Sequence, residues 1–572
     1  MAGIYGVVSR ENLDIDTPIY EYFYTSHFAH SVNEEIYFKH CVFGRSVINK
    51  FLNDRTLFQD DELIIGFEGI FFNKEDEQSF NTIKRWYQQI GPDFVKKIKG
   101  QFSGFIYDKI LDKLIVFSDH LSTKPLYLYK SKAIFIFASE FKVITQLLKK
   151  LSIKKELDYD GVYSMLTFGY MLDNITLEKN TKKMKHSTVL EVDKDFKATE
   201  KQYFSYKKEQ NLTLKKKDII EKIDTLLLKS VEQCWGKDSE YGYKHYSFLS
   251  GGLDSRVNVF LAKELGYRDI LTLTFSQSGS SDQKIAQKIA EDESFQHVFY
   301  PLDNGTFLEQ NLRHFVKAND GLVIFNGSAA GYDILSSFDE NRFGALHTGQ
   351  IGDLLFGSYV KKNFDVRQGL ASDRFALLKE ITFFEEYTNR YRGNPELFGY
   401  EQRVMNGTFN GDRTLSHFTD VVSPFYDKEL ISFCLSIPDV FKQGEAIYLD
   451  WFNTKHKKIA KYQWESAGVK PKNIVFVKLA KFIKRYKNAV LRRTGLQIND
   501  MNPFDLWLKN NKKIVDNLDK SFDDTIGLVT DSGLKEILKD MYYKDDTYSH
   551  YGRNNKFLVI TLLLSMELHF AE

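Results

Sequence analysis

Short apolar runs dominate the chain from Gly3 to about Ser205. Segments such as ELIIGFEGIFFN, GQFSGFIYD, KLIVFSD and AIFIFASE alternate or are apolar throughout, and glycine, asparagine and aspartate separate them. Such segments are typical of β-strands joined by turns. Helical spacing of apolar residues occurs only in pieces, for example in NTIKRWYQQIGPDFVKKIKG. The pattern predicts a domain of layered sheets with few helices over residues 1–205.

A lysine-rich segment with few apolar residues, YKKEQNLTLKKK at residues 206–217, precedes a different pattern. We expect it to be an exposed linker, and we place the second domain at residues 206–572. Strands are predicted there at residues 246–249, 270–275, 297–300 and 342–348, with helices between them. Strands that alternate with helices indicate a parallel, doubly wound sheet. After about residue 427 the pattern is helical, which predicts a helical cap.

The segment SGGLDS, from Ser250 to Ser255, lies between the first of these strands and a helical pattern. Backbone N–H groups in a tight turn at a helix N-terminus point towards an anion, and glycines let it approach the main chain. Asp254 would repel a bare phosphate, so we expect it to hold Mg²⁺. The segment lacks the Gly-Lys-Ser/Thr of a Walker loop and the GxGxxG of a dinucleotide fold. A purely structural glycine turn is the less favoured alternative.

The complete motif, with its flanking strand and helix, resembles the SGGxDS loop of the asparagine synthetase family. Three further segments are similar to that family: SQSGSSDQKIAQKIAED, LHTGQIGDLLFGSY and SPFYDKELISFCLSIP. The first domain resembles the family's glutaminase half through GIYGVVS, GRSVINK, EGIFFN and GQFSGFIYDKILDKLIVFSDHLSTKPLYLY. The resemblance implies an α/β and α+β protein. A layered-sheet domain like the Ntn hydrolases would precede an ATP-pyrophosphatase domain with a doubly wound parallel sheet and a helical cap.

The resemblance also assigns candidate residues for binding ATP and Mg²⁺. The ATP-binding residues would be Phe248, Ser250, Gly251, Gly252, Leu253, Asp254, Ser255, Phe275, Thr348 and Gly349. Asp254 and Asp353 would be the magnesium ligands and take part in catalysis. Gln350 stands where the family has an acidic candidate base, and it is a further candidate catalytic residue. Arg256 would supply positive charge to the reaction, with a surface arginine as the equally favoured alternative.

The first domain departs from a working glutaminase of this family at two positions. Ala2 occupies the place of the nucleophilic cysteine, and a methyl group cannot attack an amide. Glu68-Gly69 replaces an Asn-Gly pair, and a carboxylate there would repel the developing oxyanion. Arg45 does match the arginine that binds the glutamine carboxylate. We therefore expect this degenerate site not to hydrolyse glutamine.

A site of this family activates a carboxylate by attack on the α-phosphate of ATP and then transfers it to a nitrogen nucleophile. The resemblance implies an AMP-forming ligase that joins a small-molecule or peptide carboxylate to ammonia or an amine. Gln350, and Glu445 in place of a family lysine, put asparagine itself in doubt as the product. Two subclasses stay open: amidation of a sugar acid for a surface polysaccharide or natural product, and intramolecular amide closure as in β-lactam synthetases and lasso-peptide cyclases. A nucleotide-binding pseudoenzyme or scaffold is the alternative from another class.

The composition of the chain limits the classes of binding partner that we expect. The 572 residues carry 78 basic and 77 acidic side chains, so no overall field attracts nucleic acid or an anionic membrane. Cys41, Cys234 and Cys434 are isolated, which argues against disulfides and a zinc cluster.

No secretory pattern begins the chain, so we expect a cytoplasmic protein, and the apolar run at residues 557–566 is too short to span a bilayer. A homodimer is compatible with the family. The basic stretch at residues 478–493 fits a solvated helix face better than a phosphate- or membrane-binding one.

Overall fold

The computed structural model describes residues 3–571, apart from residues 12, 14, 74–77, 361–363, 494–499 and 545–548. Two six-stranded sheets form the first half, with the orders β10-β8-β9-β1-β3-β2 and β12-β11-β7-β6-β5-β4. Their strands are β1 (Gly3–Ser9), β2 (Ser31–Phe38), β3 (Cys41–Ile48), β4 (Thr56–Gln59), β5 (Leu63–Phe71), β6 (Gly100–Asp108), β7 (Lys113–Ser118), β8 (Tyr127–Lys130), β9 (Ile134–Ala138), β10 (Thr181–Lys183), β11 (Thr188–Val192) and β12 (Ala198–Gln202). The helices here are α1 (Ser79–Ile90), α2 (Phe141–Lys150) and α3 (Tyr159–Phe168).

The two sheets pack face to face through aromatic side chains. Phe43 of β3 stacks on Phe105 of β6 with ring centroids 5.2 Å apart, and Phe105 lies 5.1 Å from Phe137 of β9. The layered architecture predicted for the first half is confirmed. Helices α2 and α3 were not predicted. Helix α3 is buried on nearly all sides and lacks the one-sided apolar spacing of a surface helix, whereas α2 has that spacing but is only 10 residues long.

A parallel five-stranded sheet with the order β15-β14-β13-β16-β17 organises the second half. Its strands are β13 (Lys244–Phe248), β14 (Leu271–Ser276), β15 (Gln296–Pro301), β16 (Phe343–His347) and β17 (Val421–Val422). The helices that surround it are α4 (Lys216–Glu240), α5 (Asp254–Glu264), α6 (Ser281–Glu293), α7 (Leu312–Ala318), α8 (Asn326–Ser336), α9 (Gly352–Phe356), α10 (Phe384–Arg390), α11 (Pro395–Phe398) and α12 (Phe409–Asp412). The cap contains α13 (Lys428–Ser436), α14 (Asp439–Lys442), α15 (Ala446–Lys455), α16 (Ile474–Arg493), α17 (Phe504–Asn510), α18 (Lys512–Thr525), α19 (Ser532–Tyr543) and α20 (His550–Phe570). The predicted α/β class with a helical cap is confirmed.

Two details of the second half differ from the expectation. Strand β17 was not predicted, because two residues are too few to form a pattern. The segment between β12 and α4 has no regular structure, but it is not fully exposed. Tyr206 is buried within it and stacks on Tyr400 at a centroid distance of 5.7 Å.

The last helix, α20, is buried between the two halves. Its residues Phe557 to Leu563 are inaccessible to solvent, and α20 contacts α2, α3 and α7. The apolar run at residues 557–566 therefore belongs to a buried core helix. Within the part of the chain that the structure describes, no helix combines the length and apolarity needed to cross a bilayer.

Candidate active site

The SGGLDS segment forms a closed turn between β13 and α5. The N–H of Ser250 donates to Oγ of Ser255 at 3.1 Å, and the N–H of Gly252 donates to Oγ of Ser250 at 3.1 Å. The N–H of Gly251 donates to Oδ1 of Asp282, at the start of α6, at 3.0 Å. Burial and the charge of a neighbouring glutamate raise the pKa of Asp282 to about 6. The turn is thus held by its own serines and by a carboxylate that the sequence motif does not include.

The second motif packs directly onto this turn. A Cβ atom on Gly349 would lie 2.2 Å from the backbone nitrogen of Ser255, and one on Gly352 would lie 2.5 Å from the carboxylate carbon of Asp254. The N–H of Asp353 donates to Oδ2 of Asp254 at 2.9 Å. Both glycines therefore permit a close approach that larger residues would block. The approach brings two carboxylates together at the carboxyl end of the sheet, where ligands of open α/β sheets bind.

The two carboxylates concentrate negative charge. Burial and the charges of Asp353 and Glu445 raise the pKa of Asp254 well above its usual range. Asp353 is exposed, and it accepts from the hydroxyl of Ser358 at 3.1 Å. Paired carboxylate oxygens are ligands that Mg²⁺ prefers, and the serine hydroxyls of the turn suit phosphate oxygens. The donor set fits Mg²⁺ with a polyphosphate.

The other predicted ATP-binding residues lie at the same strand ends. Phe248 ends β13 and Phe275 lies near the end of β14, with their ring centroids 5.1 Å apart. Leu253 is buried at the start of α5. Thr348 follows β16, and its N–H donates to the carbonyl of Val422 at 2.9 Å. The structure brings the predicted set together, while the contacts of these residues with a nucleotide stay a prediction.

Arg256 is placed differently from the expectation. Its side chain is fully buried, and its guanidinium donates to the carbonyls of Gly251 at 3.1 Å, Ile459 at 3.1 Å and Gln463 at 2.6 Å. Burial lowers the pKa of Arg256 to about 10. Because these N–H groups are directed at main-chain carbonyls, Arg256 ties the turn to the cap. The surface alternative for Arg256 is therefore wrong, and its catalytic role stays a prediction.

Gln350 is held by two side chains that the sequence analysis missed. Its amide nitrogen donates to Oδ1 of Asp412 at 2.7 Å, and the Tyr426 hydroxyl donates to its amide oxygen. Burial raises the pKa of Asp412 to about 7. Asp412 and Gln350 are 62 positions apart, so only the fold joins them. A carboxylate therefore lies next to the position where the expected acidic residue is missing.

Glu445 has a cationic partner from the cap. Nζ of Lys481, in α16, lies 2.7 Å from Oε2 of Glu445 and 3.7 Å from the ring centroid of Trp464. The same helix crosses Gly444, where a Cβ would lie 2.6 Å from Cε of Lys478. Two lysines thus lie beside the position at which the expected lysine is replaced by glutamate.

The residues matched to a glutaminase site have other partners here. Ala2 lies outside the described residues. Nε of Arg45 donates to Oε2 of Glu34 at 2.7 Å, so its guanidinium already has a carboxylate partner. Gly69 has a φ of 130°, and a Cβ there would lie 1.9 Å from the carbonyl oxygen of Gln101. Gly69 therefore has a backbone reason for being glycine that is independent of catalysis.

Glu68 belongs to a buried ion cluster that joins the two domains. Its carboxylate accepts from Nε of Arg55 at 3.0 Å, and neither side chain is exposed. Asp420, next to β17, accepts from Arg55 at 2.6 Å and from Lys124 at 2.5 Å. Burial alone would raise the pKa of Asp420, but Arg55 and Lys124 hold it well below its usual range. The charge of Glu68 is thus neutralised within an interdomain contact.

Comparison with known proteins agrees with this architecture. Residues 76–204 match the model of a glutamine amidotransferase domain, and residues 222–462 match that of asparagine synthase. A putative glutamine-hydrolysing asparagine synthetase 2 of Methanocaldococcus jannaschii is 29% identical over 43% of this chain and 51% of its own length. Asparagine synthetase 2 of Bacillus subtilis, also described as glutamine-hydrolysing, is 26% identical over 48% of this chain and 40% of its own length.

The chain thus spans about half the length of the curated relatives it matches. A solved structure of the allosteric regulatory enzyme of purine biosynthesis aligns with a TM-score of 0.25 and 10% identity, over 52% of this chain and 80% of that one. The two family models follow one another along the chain in the order in which the layered-sheet and parallel-sheet halves occur. The chain belongs to the asparagine synthetase family.

Proposed function

We propose that this protein is an ATP-dependent ligase that joins a carboxylate to ammonia or an amine, releases AMP and pyrophosphate, and does not hydrolyse glutamine. The observation that supports it best is the contact between the two motifs, in which the N–H of Asp353 donates to Asp254 at 2.9 Å. Two carboxylates at the end of a parallel sheet, beside a glycine turn, are suited to a magnesium-bound polyphosphate. A family scaffold without such chemistry would not need both.

Each residue has a proposed task. Asp254 and Asp353 would hold Mg²⁺, and the hydroxyls of Ser250 and Ser255 would hold the phosphates. Mg²⁺, when bound, would neutralise the charge that accumulates on the leaving pyrophosphate. The main chain near the ends of β13 and β14 would contact adenine. The turn is fixed before substrate arrives, because its serines and Asp282 already hold it.

The reaction would proceed in two displacements. A carboxylate oxygen of the substrate attacks the α-phosphorus of ATP, and the bond to pyrophosphate breaks. The nitrogen nucleophile then attacks the acyl carbon, AMP leaves, and the nitrogen loses a proton. We propose that Asp412 accepts this proton, because its pKa of about 7 is suited to a general base and its carboxylate accepts from the amide of Gln350.

Lys481 would supply the positive charge that the family lysine provides elsewhere. Its Nζ reaches Glu445 at 2.7 Å, and the charge of Glu445 acts on Asp254. Neutralising Glu445 therefore makes the electrostatic potential less negative at a site that must accept a polyphosphate. This assignment explains how a glutamate is tolerated at the position.

Glutamine independence is supported by the first domain. The position of the nucleophile is Ala2, and Glu68 is engaged by Arg55 in a cluster closed to solvent. Arg45 is paired with Glu34. The domain would then contribute an interface to the ligase, and ammonia or an amine would reach the second domain directly. Sugar acids and molecules that close an internal amide are the two proposed substrate classes.

The test is product analysis of the purified full chain with Mg-ATP, ammonium and pooled carboxylic acids that include amino acids and sugar acids. Acid-dependent AMP and pyrophosphate, absent in Asp254→Ala, support the ligase. Glutamine in place of ammonium should yield no glutamate. Binding of Mg-ATP without AMP from any pool, including peptides that carry both an amine and a carboxylate, would favour the nucleotide-binding scaffold instead.

A further inference from the structure

Helix α16 presents its apolar side to solvent. Seven large apolar side chains on it are between 42% and 71% exposed: Val475, Phe476, Leu479, Phe482, Ile483, Tyr486 and Val490. Their spacing places them on one stripe of about 120° at 3.6 residues per turn. The opposite side meets the protein through Val477, which is buried in the core, and through the ion pairs of Lys481 with Glu445 and Lys484 with Glu465. Most of the apolar surface of the helix therefore lies away from the core.

Positive charge borders the stripe on both sides. At about 100° per residue, Lys478 and Arg485 lie along one border and Lys487 along the other. All three are exposed. The segment from residue 470 to residue 493 contains nine lysines and arginines and no aspartate or glutamate, whereas the whole chain has a net charge of +1. The exposed apolar side chains therefore share one outward surface with Lys478, Arg485 and Lys487.

We propose that α16 docks this protein on the surface of a bilayer that contains anionic lipids. An apolar stripe with basic borders lies in the headgroup region with its apolar side chains inserted and its cations on lipid phosphates. The 20 residues of α16 give a contact about 30 Å long. Phe476 and Phe482 insert, and Lys478, Arg485 and Lys487 bind phosphates.

Charge favours a bilayer over a second copy of the chain. Two copies meeting through this stripe would place the basic borders of one helix against those of the other, and like charges repel. The inward ion pairs of Lys481 and Lys484 hold the helix with its apolar stripe facing outward. The lipid contact goes beyond the ligase activity and does not depend on it.

The test is co-sedimentation of the full chain with phosphatidylcholine vesicles that contain or lack phosphatidylglycerol. The protein should sediment only with the anionic vesicles, and less so in high salt, because salt screens the lysines and arginines. Phe476→Ser/Phe482→Ser should lower the affinity for vesicles at least about tenfold. The matched control is Val440→Ser, which changes another apolar residue that is 74% exposed but lies outside α16.

A second pair of measurements separates the outcomes. Arg485→Glu/Lys487→Glu should weaken binding to anionic vesicles with the apolar stripe intact, and circular dichroism should confirm that both double variants fold. Sedimentation velocity without lipid should give the same mass for wild type and Phe476→Ser/Phe482→Ser. Absence of vesicle binding, equal binding by that variant, or an oligomer that the variant dissociates would overturn the proposal, the last by identifying the stripe as a protein interface.

Discussion

Neutralising Glu68 should destabilise the contact between the domains. The cluster balances two cations, Arg55 and Lys124, with two anions, Glu68 and Asp420, and all four side chains are at most 6% exposed. Glu68→Gln keeps the shape and leaves two cations against one anion. Removing one partner of a fully buried ion pair typically costs about 3–5 kcal/mol, because the remaining charge is desolvated without compensation. We expect a loss of that order for Glu68→Gln.

The assay is urea unfolding combined with hydrogen exchange of β5 and of the segment around Asp420. Glu68→Gln should lower the unfolding midpoint and speed exchange on both sides of the interface. Asp93→Asn is the control, because its ion pair with Lys96 also lies in the first domain but is about half exposed, and it should leave the midpoint unchanged. Lys124→Met added to Glu68→Gln restores the charge balance, so the double variant should lose less than the sum of the two single losses.

Equal midpoints for Glu68→Gln and Asp93→Asn would refute this reasoning. Strict additivity of Glu68→Gln and Lys124→Met would refute the charge balance in particular. Either result would mean that the cluster does not neutralise Glu68, and the interdomain role assigned to this residue would fail.

Three further predictions test the site and the core. Gly349→Ala should weaken Mg-ATP binding at least about tenfold by calorimetry, because its Cβ would lie 2.2 Å from a backbone nitrogen of the turn, whereas Gly327→Ala, with nothing within 4 Å, should bind normally. Lys481→Ala should lower the rate of AMP formation more than Lys487→Ala does, since Lys487 is an exposed lysine of the same helix. Equal rates for the two variants would exclude the proposal that Lys481 compensates for the charge of Glu445. Burial lowers the pKa of His569 to about 4, whereas its pKa in the unfolded chain is about 6.5. At a pH between these two values the unfolded chain binds a proton at this residue and the folded chain does not. Stability should therefore fall from pH 6.5 towards pH 4, and less steeply in His569→Gln, as urea midpoints measured across this range can establish.

The sequence predicted the parts of this molecule that local pattern determines. The four longer strands of the parallel sheet and the glycine turn follow from apolar runs and from Ser250 to Ser255. Asp412 was missed, because nothing near it in sequence points to Gln350. The burial of Arg256 was missed as well, since the carbonyls that its guanidinium contacts lie about 200 positions away.

For helix α16 the sequence indicated the amphipathic pattern but not which face is buried. Its amphipathic spacing was evident from residues 478–493, for which a solvated helix face was the favoured interpretation. In the structure the apolar stripe faces outward, because Lys481 and Lys484 form ion pairs with Glu445 and Glu465 on the protein side. Sequence periodicity defines two faces of a helix, but only tertiary partners decide which face is buried.

The central claim is that this chain activates a carboxylate with ATP. The most direct measurement is carboxylate-dependent exchange of labelled pyrophosphate into ATP in the absence of any amine, since only the first displacement and its reversal are then required. The account predicts exchange with at least one carboxylate, abolished by Asp254→Asn and by Asp353→Asn and unchanged by Gly327→Ala. Mg-ATP binding without exchange for every carboxylate tried, or exchange that survives both aspartate substitutions, would contradict it.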